Sequence, residues 1–181
     1  MEIPTITTAQ LVLRPLVKKD AAPFHRAFSD RDVLRYFPNT NPPSLEQIEK
    51  MIAGQWRHWT KYRYGWWAVE PQTENKFIGW CGLQYLPDTK ETEVAYMLDK
   101  NYWGRGWATE GARASLKYGF EELALESIVG IVHTENIASQ RVLEKAGLAF
   151  VEEAEYFGMD CYRYVLDRSE YGRASQTQHH V

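Results

Sequence analysis

"NYWGRGWATEGARASL", residues 101–116, sets two glycines and an arginine among Tyr102, Trp103 and Trp107, directly ahead of a run with helical spacing. Upstream, "TEVAYML" (92–98) reads as a strand. Downstream, Ala108, Ala112, Leu116, Phe120 and Leu123 form an apolar stripe, with Glu110, Arg113, Lys117 and Glu121 facing water. This pattern predicts a helix from about residue 106 to 123. A strand, then Gly-x-Gly, then a helix gathers the unpaired N–H groups and positive dipole end of the first helical turn around an anion. Glycine lets the backbone approach a phosphate that a side chain would block, and Arg105 adds a charge-assisted contact. The same residues also suit a tight turn with close helix–strand packing. No Gly-Lys-Ser/Thr follows, so this is not a nucleoside-triphosphate loop. The third glycine position is Thr109 and the next strand ends in His133 rather than an acid, so it is not a dinucleotide fingerprint.

Outward from this corner, the chain alternates strands and helices without a repeat or linker. "LVLRPL" (11–16) reads as an opening strand, and Asp20 is positioned to cap a short helix through Phe28. "SDRDVLRYFPNTNPP" carries turn chemistry. Ser44 and Gln47 form a capping box that opens a helix to about Tyr62, with Leu45, Ile48, Ile52, Trp56 and Trp59 at helical spacing. "GWWAVEP" (65–71) and "KFIGWCGLQYL" (76–86) read as a hairpin about the turn "QTEN". After the 106–123 helix come a strand, "SIVGIVH" (127–133), and a helix, "NIASQRVLEKAG" (136–147), with Asn136 as cap and Gly147 as stop. "AFVEEAEYF" and "MDCYRYVLD" make a closing hairpin, and the tail from about Ser169 reads as polar and frayed. Consecutive strands on short turns pair antiparallel, whereas the strand–helix–strand unit implies a parallel neighbour. The expected fold is therefore a mixed, mostly antiparallel α/β sheet flanked by helices, in one domain over 1–181 with a core of about 10–168.

At 181 residues the chain is long enough for a sizeable core, and its net charge of −3 gives no argument for nucleic acid or an anionic membrane. The opening "MEIPTITTAQ" lacks the basic and apolar regions of a signal peptide, and no apolar run approaches the roughly 18–20 residues that span a bilayer. Cys81 and Cys161 show no metal-ligand spacing and read as core residues. No metal is expected, and a reducing, cytoplasmic setting fits best. Of the seven tryptophans and eleven tyrosines, most read as packing, with one or two walling a pocket.

Two blocks together carry a more specific signal. Trp103-Gly104-Arg105-Gly106-Trp107-Ala108 resembles the Gln/Arg-x-x-Gly-x-Gly/Ala motif of the GCN5-related N-acetyltransferase (GNAT) superfamily, with Trp103 where Gln or Arg is commoner. "NIASQRVLEKAGL" (136–148) is similar to a second block of the branch containing the RimJ/RimL ribosomal-protein N-terminal acetyltransferases, with Leu148 in place of Phe. The opening strand "LVLRPL" also matches that branch.

This resemblance implies that acetyl-CoA is the acyl donor. Its pyrophosphate would lie on main-chain N–H groups of Arg105, Gly106, Ala108 and Thr109. Its pantetheine arm would run beside Met97 and Leu98, in a cleft where the next strand splays away. Asn136 matches the family's pantetheine-contacting asparagine, and a plain helix cap is its other reading. For chemistry, a carboxylate must take the ammonium proton and main-chain donors must hold the oxyanion. Glu93 is the first candidate base, because its even spacing from Met97 puts both on one sheet face. Glu155 is the second. The family's tyrosine acid, seven residues after the asparagine, is replaced by Leu143, and Ser139 is the branch's usual substitute near the thiol. Arg35 and Tyr36 are candidate acceptor contacts, and His133 reads as structural. The implied function is acetyl transfer to a primary amine, a protein N-terminal α-amino group or a small amine, by a monomer or homodimer. A non-catalytic acyl-CoA sensor is the alternative class.

Overall fold

The computed structural model describes residues 2–177. Its strands are β1 (Ile6–Thr7), β2 (Leu11–Pro15), β3 (Trp66–Pro71), β4 (Gly79–Leu86), β5 (Glu91–Leu98), β6 (Ser127–His133), β7 (Ala149–Tyr156) and β8 (Met159–Asp167). Its helices are α1 (Ala21–Phe28), α2 (Arg31–Leu34), α3 (Leu45–Tyr62), α4 (Trp107–Lys117), α5 (Ile137–Ala146) and α6 (Arg168–Thr177). The strands form one sheet in the order β1-β2-β3-β4-β5-β6-β8-β7. Every neighbouring pair is antiparallel except β5–β6. This is the mixed, mostly antiparallel sheet that the strand spacing implies.

Alternation along the strands sends side chains into two cores, one per sheet face. Leu11, Leu13, Trp67, Val69, Leu83 and Val94 pack against Ala112, Leu116 and Phe120 of α4 and its continuation and against Leu143 of α5. Ala68, Trp80 and Met97 face the other way, towards Phe24 of α1, Leu34 of α2, and Ile48 and Ile52 of α3. The Ser44–Gln47 capping box forms as expected, and Arg63 ends α3 in the left-handed region at φ 66°. Gly130 on β6 is a close approach: a Cβ there would meet Leu143 Cδ2 at 2.5 Å, so a larger residue would force the Leu143 side chain of α5 to shift. After Lys117, α4 widens into a π turn over Tyr118–Glu122.

Three local expectations need correcting. Asp20 does not cap α1 with its side chain. Its carboxylate instead accepts from Val17 N–H (2.9 Å) and two guanidinium N–H groups of Arg14 (both 2.7 Å). Arg14 also bonds Glu70 at 2.6 Å and is thereby held far above the ordinary arginine range, chiefly by its bond to Asp20. The strand expected from Lys76 begins only at Gly79. The tail is not frayed over 169–177, which lie in α6, and its last four residues, 178–181, fall outside the described residues. The Tyr171 ring stacks on Phe120 (4.9 Å) and its hydroxyl donates to Glu121 (2.7 Å), a tertiary contact that local polarity does not reveal.

Candidate active site

The parallel pair places the site. β5 and β6 share a single bridge, Glu93 opposite Val129, whereas β4 and β5 pair along their whole length from Gly79–Leu98 to Leu86–Glu91. Beyond Glu93 the two parallel strands therefore diverge. Alternation fixes which backbone groups this leaves open. Leu83 N–H bonds Gly65 O on the β3 side (3.2 Å), and Asp99 N–H bonds Ile78 O (2.7 Å). Odd-numbered residues of β5 thus turn their main-chain groups to β4, and even-numbered ones face β6. Met97 is committed to its partner Trp80. The groups without a ladder partner belong to Tyr96 and Leu98, and the Leu98 carbonyl accepts Trp103 Nε1–H at 2.8 Å. Of the expected pair, Leu98 lies on this open edge and Met97 does not, and Tyr96 stands in its place.

A cavity of about 770 Å³ fills the divergence, lined by residues from β5, β6, α5, the α2–α3 connection and the β7–β8 turn. Glu93 lies within it and is only 5 % exposed. Its carboxylate accepts Gln84 Nε2–H (2.6 Å) and the Ile131 main-chain N–H, and Gln84 Oε1 in turn accepts Trp66 Nε1–H (3.2 Å). Burial outweighs these two donors and pushes the carboxyl up to about 7. A carboxylate poised there exchanges a proton at neutral pH without a large penalty in either direction.

Across the cleft, the Tyr96 hydroxyl meets Ser139 Oγ at 2.8 Å and donates to the Ser139 carbonyl at 3.2 Å. Burial holds the phenolic proton well above the ordinary tyrosine range. Ser139 is held by its own N–H, donated to Asn136 Oδ1 (3.1 Å), so Asn136 caps α5 while also lining the cleft. Leu143 lines the same cavity with an apolar side chain. Sequence reasoning found Ser139 and missed Tyr96, which reaches it from 43 positions away in the chain.

The glycine corner lies at the open end of the splay. Gly104 (φ 74°) and Gly106 (φ 78°) occupy the left-handed region, and Cβ atoms at either would meet nothing within 4 Å. No side chain caps the first turn of α4. The amides of Trp107, Ala108 and Thr109 therefore begin the helix beneath open space, the setting that binds an anion. Arg105 is exposed, its guanidinium over the rings of Tyr102 (5.2 Å) and Trp107 (5.0 Å). A larger groove of about 890 Å³ runs beside α4 past Gly106, Thr109, Arg113 and Lys145, but Glu93, Tyr96 and Ser139 all line the smaller one.

The remaining candidates separate. Tyr36 lines the cleft, with its ring 5.3 Å from that of His133, whereas Arg35 is exposed on the outer side of Tyr36. His133 also lines the cleft, and its Nδ1 accepts Glu135 N–H (3.1 Å). Glu155 is exposed on β7, the last strand of the sheet, and does not line the cleft. Trp66 and Trp80 line the cleft, their rings stacked at 3.8 Å, while Trp59 and Trp67 are core.

A mixed sheet whose parallel pair diverges over a cleft holding the buried Glu93 carboxylate is the architecture this chain shares with solved acetyltransferases. The sequence matches the acetyltransferase (GNAT) domain model over residues 10–149, and the chain belongs to that family. It is an acyltransferase that acetylates amine nitrogen. It is 32 % identical to the uncharacterized N-acetyltransferase YoaA of Bacillus subtilis, across 80 % of this chain and 82 % of that protein. It is 31 % identical to the FsC-acetyl coenzyme A-N(2)-transacetylase of Aspergillus fumigatus, across 82 % and 66 %. An acetyltransferase structure from Agrobacterium tumefaciens superposes with a TM-score of 0.81 at 25 % identity, covering 92 % of this chain and 95 % of that one. RimL, the ribosomal L7/L12 α-N-protein acetyltransferase solved with coenzyme A, shares the fold at 18 % identity, with a TM-score of 0.78 and coverage of 91 % and 98 %.

Proposed function

We propose that this chain is one catalytic domain that moves the acetyl group of acetyl-CoA to the α-amino group at a polypeptide N-terminus, in the cytoplasm. The observation that carries the reading is the splay itself: the buried Glu93 carboxylate lies within it, and the glycine corner follows β5 at the end where the strands diverge. Acetyl-CoA supplies an already activated thioester, so the protein has to position, deprotonate and stabilise. Main-chain N–H groups of Arg105, Gly106, Ala108 and Thr109 hold the diphosphate. The open edge at Tyr96 and Leu98 holds the pantetheine arm, beside Asn136. The Tyr96 N–H faces the point where charge gathers on the carbonyl oxygen. Glu93 takes the ammonium proton, and the Ser139–Tyr96 hydroxyl pair donates to the leaving sulfur. The similarity in fold to RimL supports the N-terminal acceptor.

The alternative acceptor is a small amine, and the similarity to the A. fumigatus transacetylase favours it. Free-thiol release from acetyl-CoA with a panel of peptides and small amines separates the two. Calorimetry of wild type and Gly106→Trp tests the donor site: binding by wild type and its loss in the variant are expected, and no binding by wild type at millimolar acetyl-CoA refutes the reading.

A further inference from the structure

The acceptor side of the cleft has too little negative charge for a polycation and a surplus of hydrogen-bond donors. Among its described lining residues Glu93 is the lone carboxylate, and Lys50 brings a positive charge. The uncharged groups are the amides of Asn39, Asn41, Gln47 and Gln84 and the indoles of Trp66 and Trp80. Several of their oxygens are already taken. Gln84 Oε1 accepts from Trp66, Gln47 Oε1 from Ser44 N–H and Asn39 Oδ1 from Asn41 N–H. Trp80 is 3 % exposed, and its Nε1–H is the one buried side-chain polar atom among the described residues without a partner. A buried donor left unpaired is costly, and a bound oxygen that accepts from it recovers that cost.

Resting on the acetyltransferase reading, we infer that Trp80 Nε1–H determines acceptor specificity: it selects an amine that carries a carbonyl or hydroxyl oxygen beside the amino-bearing carbon. A protonated polyamine brings only donors and positive charge and leaves this N–H unpaired. An α-amino carbonyl compound supplies both the nitrogen that Glu93 deprotonates and the oxygen that the indole needs. The N–H is buried in the free protein, and the half-buried Trp66 ring stacks face to face on the Trp80 ring at 3.8 Å. Trp66 is held on this side by its 3.2 Å bond to Gln84 Oε1, and the Nε2–H of the same amide donates to Glu93. The chemistry is shared by a polypeptide N-terminus and a free amino-acid amide.

The test measures kcat/KM for L-alaninamide and for isopropylamine, which lacks the carbonyl, in wild type and Trp80→Phe. Differences in amine basicity and in folded fraction cancel in the ratio of ratios. The preference for alaninamide should fall about 10- to 100-fold in the variant, the loss of one buried hydrogen bond. An unchanged preference overturns the inference. Wild type alone gives a second check: alaninamide should exceed spermidine at least tenfold, and faster spermidine turnover overturns the inference while leaving the acetyltransferase reading intact. No thiol release with any amine overturns both. A tri-alanine amide run beside alaninamide identifies the source, the better substrate naming peptide or free compound.

Discussion

Replacing Glu93 by Gln should stabilise the protein at alkaline pH and disable it at the same time. The carboxyl ionises near 4.5 in the unfolded chain and near 7 in the folded one, because burial outweighs the bonds from Gln84 and Ile131. The native state therefore holds this proton more tightly than the unfolded state does. Its contribution to stability is complete below about pH 4.5 and is lost as pH rises through 7. The shift corresponds to about 3 kcal/mol at 1.36 kcal/mol per pH unit. Urea unfolding of wild type and Glu93→Gln at pH 5 and pH 8.5 measures it. The stability difference between the two proteins should move by about 2–3 kcal/mol in favour of the variant over that interval. In the thiol-release assay, wild-type kcat/KM should rise tenfold per pH unit to a bend near pH 7, and the variant should lose about 10²–10⁴-fold on the plateau. Parallel stability curves, or a variant with wild-type kcat/KM, would refute the reasoning.

Three further outcomes follow from the same structure. Tyr96→Phe removes the hydroxyl that meets Ser139 Oγ at 2.8 Å; kcat should drop about 10- to 100-fold with the KM for the amine little changed, and adding Ser139→Ala should cost little more, because the pair acts as a unit. His58 is half-buried, with Nδ1 against Tyr64 O (2.7 Å) and Nε2 accepting Tyr85 N–H (3.1 Å), and burial lowers its pKa. His58 should therefore withdraw stability as pH falls below 6.5, against the opposite Glu93 effect shared by both proteins, and the stability of wild type relative to His58→Gln should fall over that range in urea unfolding. Arg14→Met leaves the 2 % exposed Asp20 without its guanidinium; urea unfolding should show a loss of about 3–5 kcal/mol.

Much of the fold was legible because its signals are local. Ser44 and Gln47 announced α3, and the apolar run "LVLRPL" announced β2. The glycine corner was equally legible, since a left-handed φ at Gly104 and Gly106 is written in the residue type. What escaped depends on distant partners. α6 is held by Tyr171 on Phe120, and its own polar sequence gives little sign of that contact. Asp20 looked like a helix cap but is captured by Arg14. Tyr96 looked like an ordinary strand tyrosine until α5 brought Ser139 to it. Glu155 had the right chemistry, yet the strand order β6-β8-β7 carries it to the far edge, a crossover that no local pattern records. Leu98 lies on the open edge but Tyr96 takes the place given to Met97, because hydrogen-bond phase along β5 is set by pairing with β4.

A crystal structure with coenzyme A bound tests the central claim most directly. The account expects the diphosphate on the main-chain amides between Arg105 and Thr109, and the pantetheine arm in the splay against Tyr96 and Leu98, with its sulfur near Ser139. Coenzyme A lodged in the groove beside α4 instead, with the β5–β6 splay unused, would contradict it.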